Sequence, residues 1–326
     1  MEAYQHLFEL FRQHLQEYIH AADLRRPKEL YEPEAYILRI GGKRIRPLLA
    51  LVGCELMGAN PDKALPASLS IELFHNFSLI HDDILDQAPL RRGNQTVHER
   101  FGQNVAILSG DVMLVKALAI LENYPDPQYR QLSALLQKTA IEVCEGQQLD
   151  MNFEKRNDVT VSDYIHMISL KTAVLLGCSL QMGSICAGAD TNTQQQLNGF
   201  GLHLGIAFQL LDDLLDCFPD NEKNFGKKVG GDITSDKKTF LLLKAYELGN
   251  DQQKARLAEL SELKDLQHKI DRTLELFSQL KVDDLCRQEA DRHTSLAIDL
   301  LQRVNCDKTR RTDLETFAHN LLLRKS

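Results

Sequence analysis

Three aspartates close the apolar stretch Phe74-His75-Asn76-Phe77-Ser78-Leu79-Ile80-His81-Asp82-Asp83-Ile84-Leu85-Asp86, spaced i, i+1 and i+4. On a helix advancing roughly 100° per residue, Asp82 and Asp86 lie about 40° apart and about 6 Å along the axis, with Asp83 beside them. The pattern returns at Phe208-Gln209-Leu210-Leu211-Asp212-Asp213-Leu214-Leu215-Asp216. Carboxylates crowded on one arc repel each other unless cations neutralise them. Oxygen-only donors suit hard ions such as Mg²⁺, which binds through one or two carboxylates plus substrate phosphates. A lone triplet reads equally as a solvated helix end. Asp283-Asp284-Leu285-Cys286-Arg287 is such a case, because its i+4 partner is an arginine. Two full copies at the ends of apolar helices favour metal chemistry.

Cations stand in places that bulk charge balance does not explain. In Gly41-Gly42-Lys43-Arg44-Ile45-Arg46-Pro47 a glycine break leads basic residues into a helix start, against the macrodipole. A bound anion would offset that cost, and Lys43 and Arg46 share one side. Arg91-Arg92-Gly93 follows the first aspartate helix, and Lys171-Thr172 interrupts an otherwise apolar helix. A lysine there either snorkels to water or lines a polar cavity. Lys227 and Lys237 follow the second motif. Carboxylates that gather Mg²⁺, set beside Lys and Arg, make a diphosphate site. No P-loop pattern is present, so nucleotide phosphoryl transfer is not indicated.

The elements that must position these groups are helices. Across 326 residues nearly everything scans with helical period. Helices are predicted near 3–20, 28–40, 45–57, 64–86, 104–123, 127–154, 161–187, 191–217, 234–249, 252–280, 283–304 and 308–325. The wide apolar faces of the central segments predict one all-α helix bundle, a single domain with an apolar interior suited to a hydrocarbon. Residues 217–233, rich in Gly, Lys and Asp, are expected to form a lid loop. A net charge of -8 argues against nucleic-acid binding. Seven scattered cysteines without a CxxC read as reduced thiols in a cytoplasmic protein. No uninterrupted apolar run is expected to span a membrane.

These residues carry a resemblance. From about residue 10 onward the chain resembles a trans-isoprenyl diphosphate synthase of the polyprenyl synthetase family. The matching motifs are Gly42-Lys43-xx-Arg46, Asp82-Asp83-xx-Asp86 with Arg91-Arg92-Gly93, Gly146-Gln147-xx-Asp150, Lys171-Thr172, Gln209-xx-Asp212-Asp213-xx-Asp216, and Gly226-Lys227 followed by Asp232 and Lys237. The resemblance implies the isoprenoid synthase fold, a homodimer, and three Mg²⁺ ions ligated by Asp82, Asp86 and Asp212 with Asp83 and Asp216 in support. It implies that Arg91, Lys171, Lys227 and Lys237 bind an allylic diphosphate, while Lys43, Arg46, His75 and Arg92 hold isopentenyl diphosphate. Loss of the allylic diphosphate would leave a cation, stabilised by the Lys171 carbonyl, the Thr172 hydroxyl and the Gln209 amide oxygen. Attack by the second substrate's double bond would follow. Asp236 departs from the family, many of whose members carry glycine before the lysine.

Product length follows from the first helix, along which the hydrocarbon should run toward the N-terminus. Ser78, Phe77 and Phe74 stand four, five and eight residues before Asp82. A turn of about 5.4 Å roughly matches one isoprene unit. Small Ser78 lets the chain pass and Phe77 stops it. By resemblance, a single aromatic at minus five implies geranylgeranyl diphosphate (C20), with farnesyl diphosphate (C15) as the alternative. A class I terpene cyclase is a rival, although its second metal motif normally carries Asn, Ser and Glu. A di-iron protein needs two ExxH motifs, and only Glu72-Leu73-Phe74-His75 is found. A non-catalytic, Mg²⁺-dependent interaction protein is the remaining alternative.

Overall fold

A computed structural model describes residues 2–219 and 230–323. Most of the expected lid, 220–229 with Lys227, lies outside the described residues. By Cα proximity the chain divides into two compact units: residues 1–139, 178–198 and 304–314, and residues 140–177, 199–303 and 315–326. In chain order the helices are α1 (Gln5–Asp23), α2 (Lys28–Ile40), α3 (Ile45–Leu56) and α4 (Leu65–Leu85). A two-stranded ribbon follows, β1 (Leu90–Arg91) and β2 (Asn94–Gln95), then α5 (Val97–Phe101), α6 (Gln103–Ala119) and α7 (Gln128–Lys155). Next come α8 (Val161–Ile168), α9 (Val174–Cys186), α10 (Thr191–Cys217), α11 (Gly231–Thr234) and α12 (Phe240–Leu248). The chain ends in α13 (Asp251–Ser261), α14 (Leu266–Leu280), α15 (Val282–Gln302) and α16 (Lys308–Leu322).

In the first unit α4 packs chiefly on α6 and α3. Its face is almost continuously buried from Ala67 to Phe74, which is why the helix reads as apolar all round. Pro66 sits in its first turn, where no backbone donor is lost. In the second unit α12 packs on α14 and α15, around a core that includes Ile206, Leu210, Leu214, Phe240 and Phe277.

The structure departs from the sequence-based boundaries at several places. Arg92 and Gly93, both with positive φ (52° and 75°), close the β1–β2 ribbon in a two-residue turn. That is the conformation such hairpins favour. The helix expected over 234–249 begins only at Phe240, because Asp236 at φ 52° cannot continue a right-handed helix. The stretch expected as one helix over 252–280 is broken before Asp265, whose carboxylate caps α14 by accepting from the His268 N–H. Between α8 and α9, Ser169–Ala173 forms a π-helical turn, a local widening that no periodicity announces.

Two stretches are long and apolar on average, although neither is an uninterrupted apolar run. Gln103–Asn123 and Val161–Cys186 are both long and apolar enough to cross a membrane by length and composition. Isolated charges such as Asp111 and Lys171 interrupt each run but leave its average hydropathy high. The second stretch is 67% buried, as a core helix is, whereas the first is only 33% buried. Leu108 and Val115 stand out on its surface, 58% and 64% exposed. All seven cysteines are free thiols.

Candidate active site

In the first unit the end of α4 sorts its three aspartates by environment. Asp83 is buried, and its two carboxylate oxygens accept from Arg91 Nε (2.8 Å) and Nη2 (2.7 Å). Arg91 Nη2 lies 3.8 Å from Asp82 Oδ2. The ribbon β1–β2 brings Arg91 back onto the helix end. Asp82 is partly exposed and Asp86 exposed. The outer carboxylates therefore meet solvent while the middle one anchors the arginine.

The expected cations of the Gly-Gly turn come together in the same unit. Gly42 has φ 134°, and a Cβ there would lie 2.5 Å from the Arg92 guanidinium, so glycine is what lets Arg92 approach. Arg46 Nη1 lies 3.3 Å from His75 Nε2. Because a guanidinium only donates, His75 accepts at Nε2 and keeps its proton on Nδ1. Burial, then the charges of Arg46 and Arg92, hold the His75 imidazole well below its ordinary pKa. Burial also lowers Arg46, to about 10. Lys43 is exposed at the turn.

Two residues not expected from the sequence support this group. Arg44 adopts a left-handed conformation (φ 48°) at the start of α3, ion-paired with buried Glu72 and hydrogen-bonded to the Leu38 carbonyl. Glu72 also accepts from Asn76 Nδ2 at 2.5 Å. The Glu of the lone ExxH thus serves an arginine and an amide. Its signal in the sequence was a carboxylate one turn before His75 on an apolar helix.

Further up α4, Phe77 is buried, with its ring 5.6 Å from Phe74 and 4.8 Å, edge-on, from His81. His81 Nε2 is 3.3 Å from the Ile107 carbonyl on α6. Ser78 is partly exposed and donates to the His75 carbonyl. A small residue followed by a braced aromatic is the arrangement that a chain-length floor requires.

The second motif, in the second unit, repeats the sorting by other means. Asp213 is buried, accepting from the Tyr164 hydroxyl and from Gln209 Nε2 (3.0 Å). Burial pushes its carboxyl up to about 7, with Asp232 adding to the rise and the two hydrogen bonds opposing it. Asp212 and Asp216 are half-exposed, and Asp216 Oδ2 accepts the Asp232 N–H at 2.9 Å. Thr172 Oγ1 donates to Gln209 Oε1 at 3.3 Å, so Thr172, Gln209, Asp213 and Tyr164 form one hydrogen-bonded chain. Lys171, in the π turn, reaches Asp150 Oδ2 at 2.6 Å. A Cβ on Gly146 would lie 2.3 Å from the Lys171 backbone nitrogen, so this glycine seats the widened turn against α7. Lys237 Nζ is 3.7 Å from Asp232 Oδ1. On the far side of α10, His203 and His293 pair through Nδ1 at 2.9 Å, and Cys286 Sγ donates to the Leu210 carbonyl, tying α15 to it.

The donor set fits Mg²⁺. Asp82 with Asp86, and Asp212 with Asp216, are i, i+4 pairs of at least partly exposed carboxylates, with no thiol or imidazole among them. Tyr164 lies outside every motif, and Asp213 sat in the second motif without a role assigned to it. Nothing in a helical pattern shows which of three aspartates a neighbouring helix will bury.

Comparison with known proteins identifies the family. The model of the polyprenyl synthetase family matches residues 27–277. A geranylgeranyl diphosphate synthase of Methanosarcina mazei is 41% identical over 226 residues, 69% of each chain. A geranylfarnesyl diphosphate synthase of Natronomonas pharaonis is 39% identical over 246 residues, 70% of this chain and 72% of that one. A crystal structure of a geranylgeranyl pyrophosphate synthase superposes with a TM-score of 0.91 at 41% identity, over 98% of this chain and 99% of that one. The chain belongs to the polyprenyl synthetase family and has the all-α isoprenoid synthase fold. It is a trans-prenyltransferase.

Proposed function

We propose that this enzyme condenses isopentenyl diphosphate head-to-tail with an allylic diphosphate, with geranylgeranyl diphosphate as its product. What supports this most is one feature of the first unit, which holds two distinct cation groups. Arg91 stands at the aspartates, and the Arg46–His75–Arg92 group stands at the Gly-Gly turn. A reaction that joins two diphosphates needs both, whereas a cyclase acts on one.

Asp82, Asp86, Asp212 and Asp216, supported by Asp83, would hold three Mg²⁺ ions within a single catalytic domain. Bound there, the metal supplies Lewis-acid activation of the leaving diphosphate. Arg91, Lys171, Lys237 and Lys227 would bind that diphosphate as it departs. Lys43, Arg46, Arg92 and the Nδ1–H of His75 would hold isopentenyl diphosphate, and a neutral imidazole there donates without adding charge. The Thr172 hydroxyl and the Gln209 and Lys171 carbonyl oxygens turn their negative ends toward the developing allylic cation. The departing diphosphate takes the proton lost when the new double bond forms. No side chain is asked to act as a base beside the cation.

Ser78 and Phe77 set the length. Purified enzyme given isopentenyl and farnesyl diphosphates with Mg²⁺ should yield C20 by mass spectrometry, and Phe77→Ala should lengthen the product. Chiefly C30 or longer from the wild type would overturn the floor. A C15 product would favour the farnesyl alternative, cyclic hydrocarbon a cyclase, and no consumption of isopentenyl diphosphate a non-catalytic role. The enzyme would work in the cytoplasm, where its thiols stay reduced, as a homodimer through the apolar face of α6 around Leu108 and Val115. A monomer at micromolar concentration by sedimentation would refute that face.

A further inference from the structure

The turn between α11 and α12 holds one of the few non-glycine residues with left-handed backbone, Asp236 at φ 52°. A side chain with a Cβ is disfavoured there, so the conformation persists only where its surroundings impose it. The constraint comes from α14. Lys269 Nζ lies 2.7 Å from Asp236 Oδ2 and 3.1 Å from the Ser261 carbonyl at the end of α13. Lys269 is only 3% exposed, and a lysine is almost never buried to that extent unless it is paired.

The turn region also packs on α14, where Ile270 lies against Gly230. A cavity of about 590 Å³ adjoins it, with Asp232, Asp236, Lys237, Leu257, Ser261 and Lys269 in its lining. The Lys269–Asp236 ion pair is a polar link between α14 and the turn. From Asp236 the connection continues through the backbone. The Lys237 N–H donates to the Asp232 carbonyl (3.0 Å), and the Thr239 N–H donates to the Lys237 carbonyl (2.9 Å). The Asp232 N–H donates to Asp216 Oδ2 (2.9 Å).

We infer that Lys269, acting through Asp236, is a positioning residue that sets where Lys237 and Asp232 stand beside the second aspartate motif. The substrate effects below rest on the proposed prenyl transfer, but the mechanical link does not. The same unexpected device occurs at Arg44, also left-handed, also next to a lysine (Lys43), and also tied to a buried opposite charge, Glu72. In both places a left-handed residue beside a basic side chain is fixed by a buried, oppositely charged side chain on another helix.

The test uses the full-length enzyme and two readouts. Lys269→Met should raise hydrogen exchange of the Asp232 and Lys237 amides about tenfold, because removing the buried ammonium frees the half-exposed Asp236 it holds. It should raise KM for farnesyl diphosphate about tenfold while KM for isopentenyl diphosphate moves less than about twofold. Adding Asp236→Gly to Lys269→Met removes the strained residue together with the unmatched carboxylate, and should recover most of the lost KM. Asp236→Asn, altering the solvent-exposed end of the pair, should raise both readouts by about threefold without disturbing the core. Unchanged exchange over 232–237 in both Lys269→Met and Asp236→Asn would overturn the inference, as would equal rises in the two KM values. If the wild-type protein consumed no isopentenyl diphosphate, the proposed function would fail, and the exchange measurement alone would still decide whether the link exists.

Discussion

The two aspartate motifs share their spacing and their apolar approach, yet their middle residues are satisfied in opposite ways. Asp83 is matched by a cation, since Arg91 gives it two charged hydrogen bonds. Asp213 takes its hydrogen bonds from neutral donors, Tyr164 and Gln209, and burial raises its carboxyl to about 7 against a smaller opposing pull from Lys237. Asp83 has a guanidinium partner, whereas burial holds Asp213, with its hydroxyl and amide hydrogen bonds, at the edge of protonation. The first motif thus uses its middle aspartate to anchor Arg91, the arginine proposed to bind the allylic diphosphate. The second uses its own to orient Gln209, whose other end meets Thr172. The same aspartate spacing has been put to two electrostatic uses.

The largest effect expected is one that erases the difference. Asp82→Ala and Asp212→Ala each remove an outer carboxylate, and each should lower kcat by at least about 10³-fold, since the metal's contribution is several kcal/mol. Folding should be little changed, as both side chains meet solvent. Single-turnover kinetics with saturating substrates checks this. A loss confined to one motif would mean that the two do not serve one metal cluster.

A smaller effect separates the motifs. Asp83→Asn leaves the Arg91 guanidinium facing an amide and should cost about 2–3 kcal/mol of folding stability, less than a fully buried pair because Arg91 is 21% exposed. It should also raise KM for the allylic substrate, because Arg91 loses its anchor. Denaturant titration and initial rates test the two parts separately. Unchanged stability would show that Arg91 finds another partner.

How much of this was legible in the sequence differs between the two regions for a physical reason. Helix type and order were readable because 3.6-residue periodicity persists through long apolar faces, and Asp82, Asp86, Arg91, Arg46 and His75 were readable because each sits in a motif. The breaks at Asp236 and Asp265 were not, since each depends on one side chain finding a particular partner. The roles of Asp83 and Asp213 were hidden for the same reason. Spacing places three carboxylates on an arc, but only tertiary contacts decide which one turns inward. Tyr164 lies 49 residues from Asp213 and Glu72 28 residues from Arg44, separations at which no local pattern survives.

The finest test of the comparison is the substitution expected to help. An unfolded aspartate ionises near 3.8, while folded Asp213 holds its proton up to about 7. Below the lower value both states are protonated and the residue has no effect on stability. As pH rises between the two values only the unfolded chain loses its proton, so the wild type is progressively destabilised, and the loss levels off above the folded value. Asparagine at this position cannot ionise and can still accept from the Tyr164 hydroxyl. Asp213→Asn should therefore equal the wild type near pH 4 and exceed it near pH 8, by on the order of 2 kcal/mol, when chelator keeps the protein metal-free. Thermal denaturation across that range reads the difference directly. Asp83→Asn should show a loss near pH 8, so the two substitutions are opposite in sign at neutral pH. Two losses of equal size would mean that Asp213 is charged and compensated in the fold, and the contrast between the motifs would collapse.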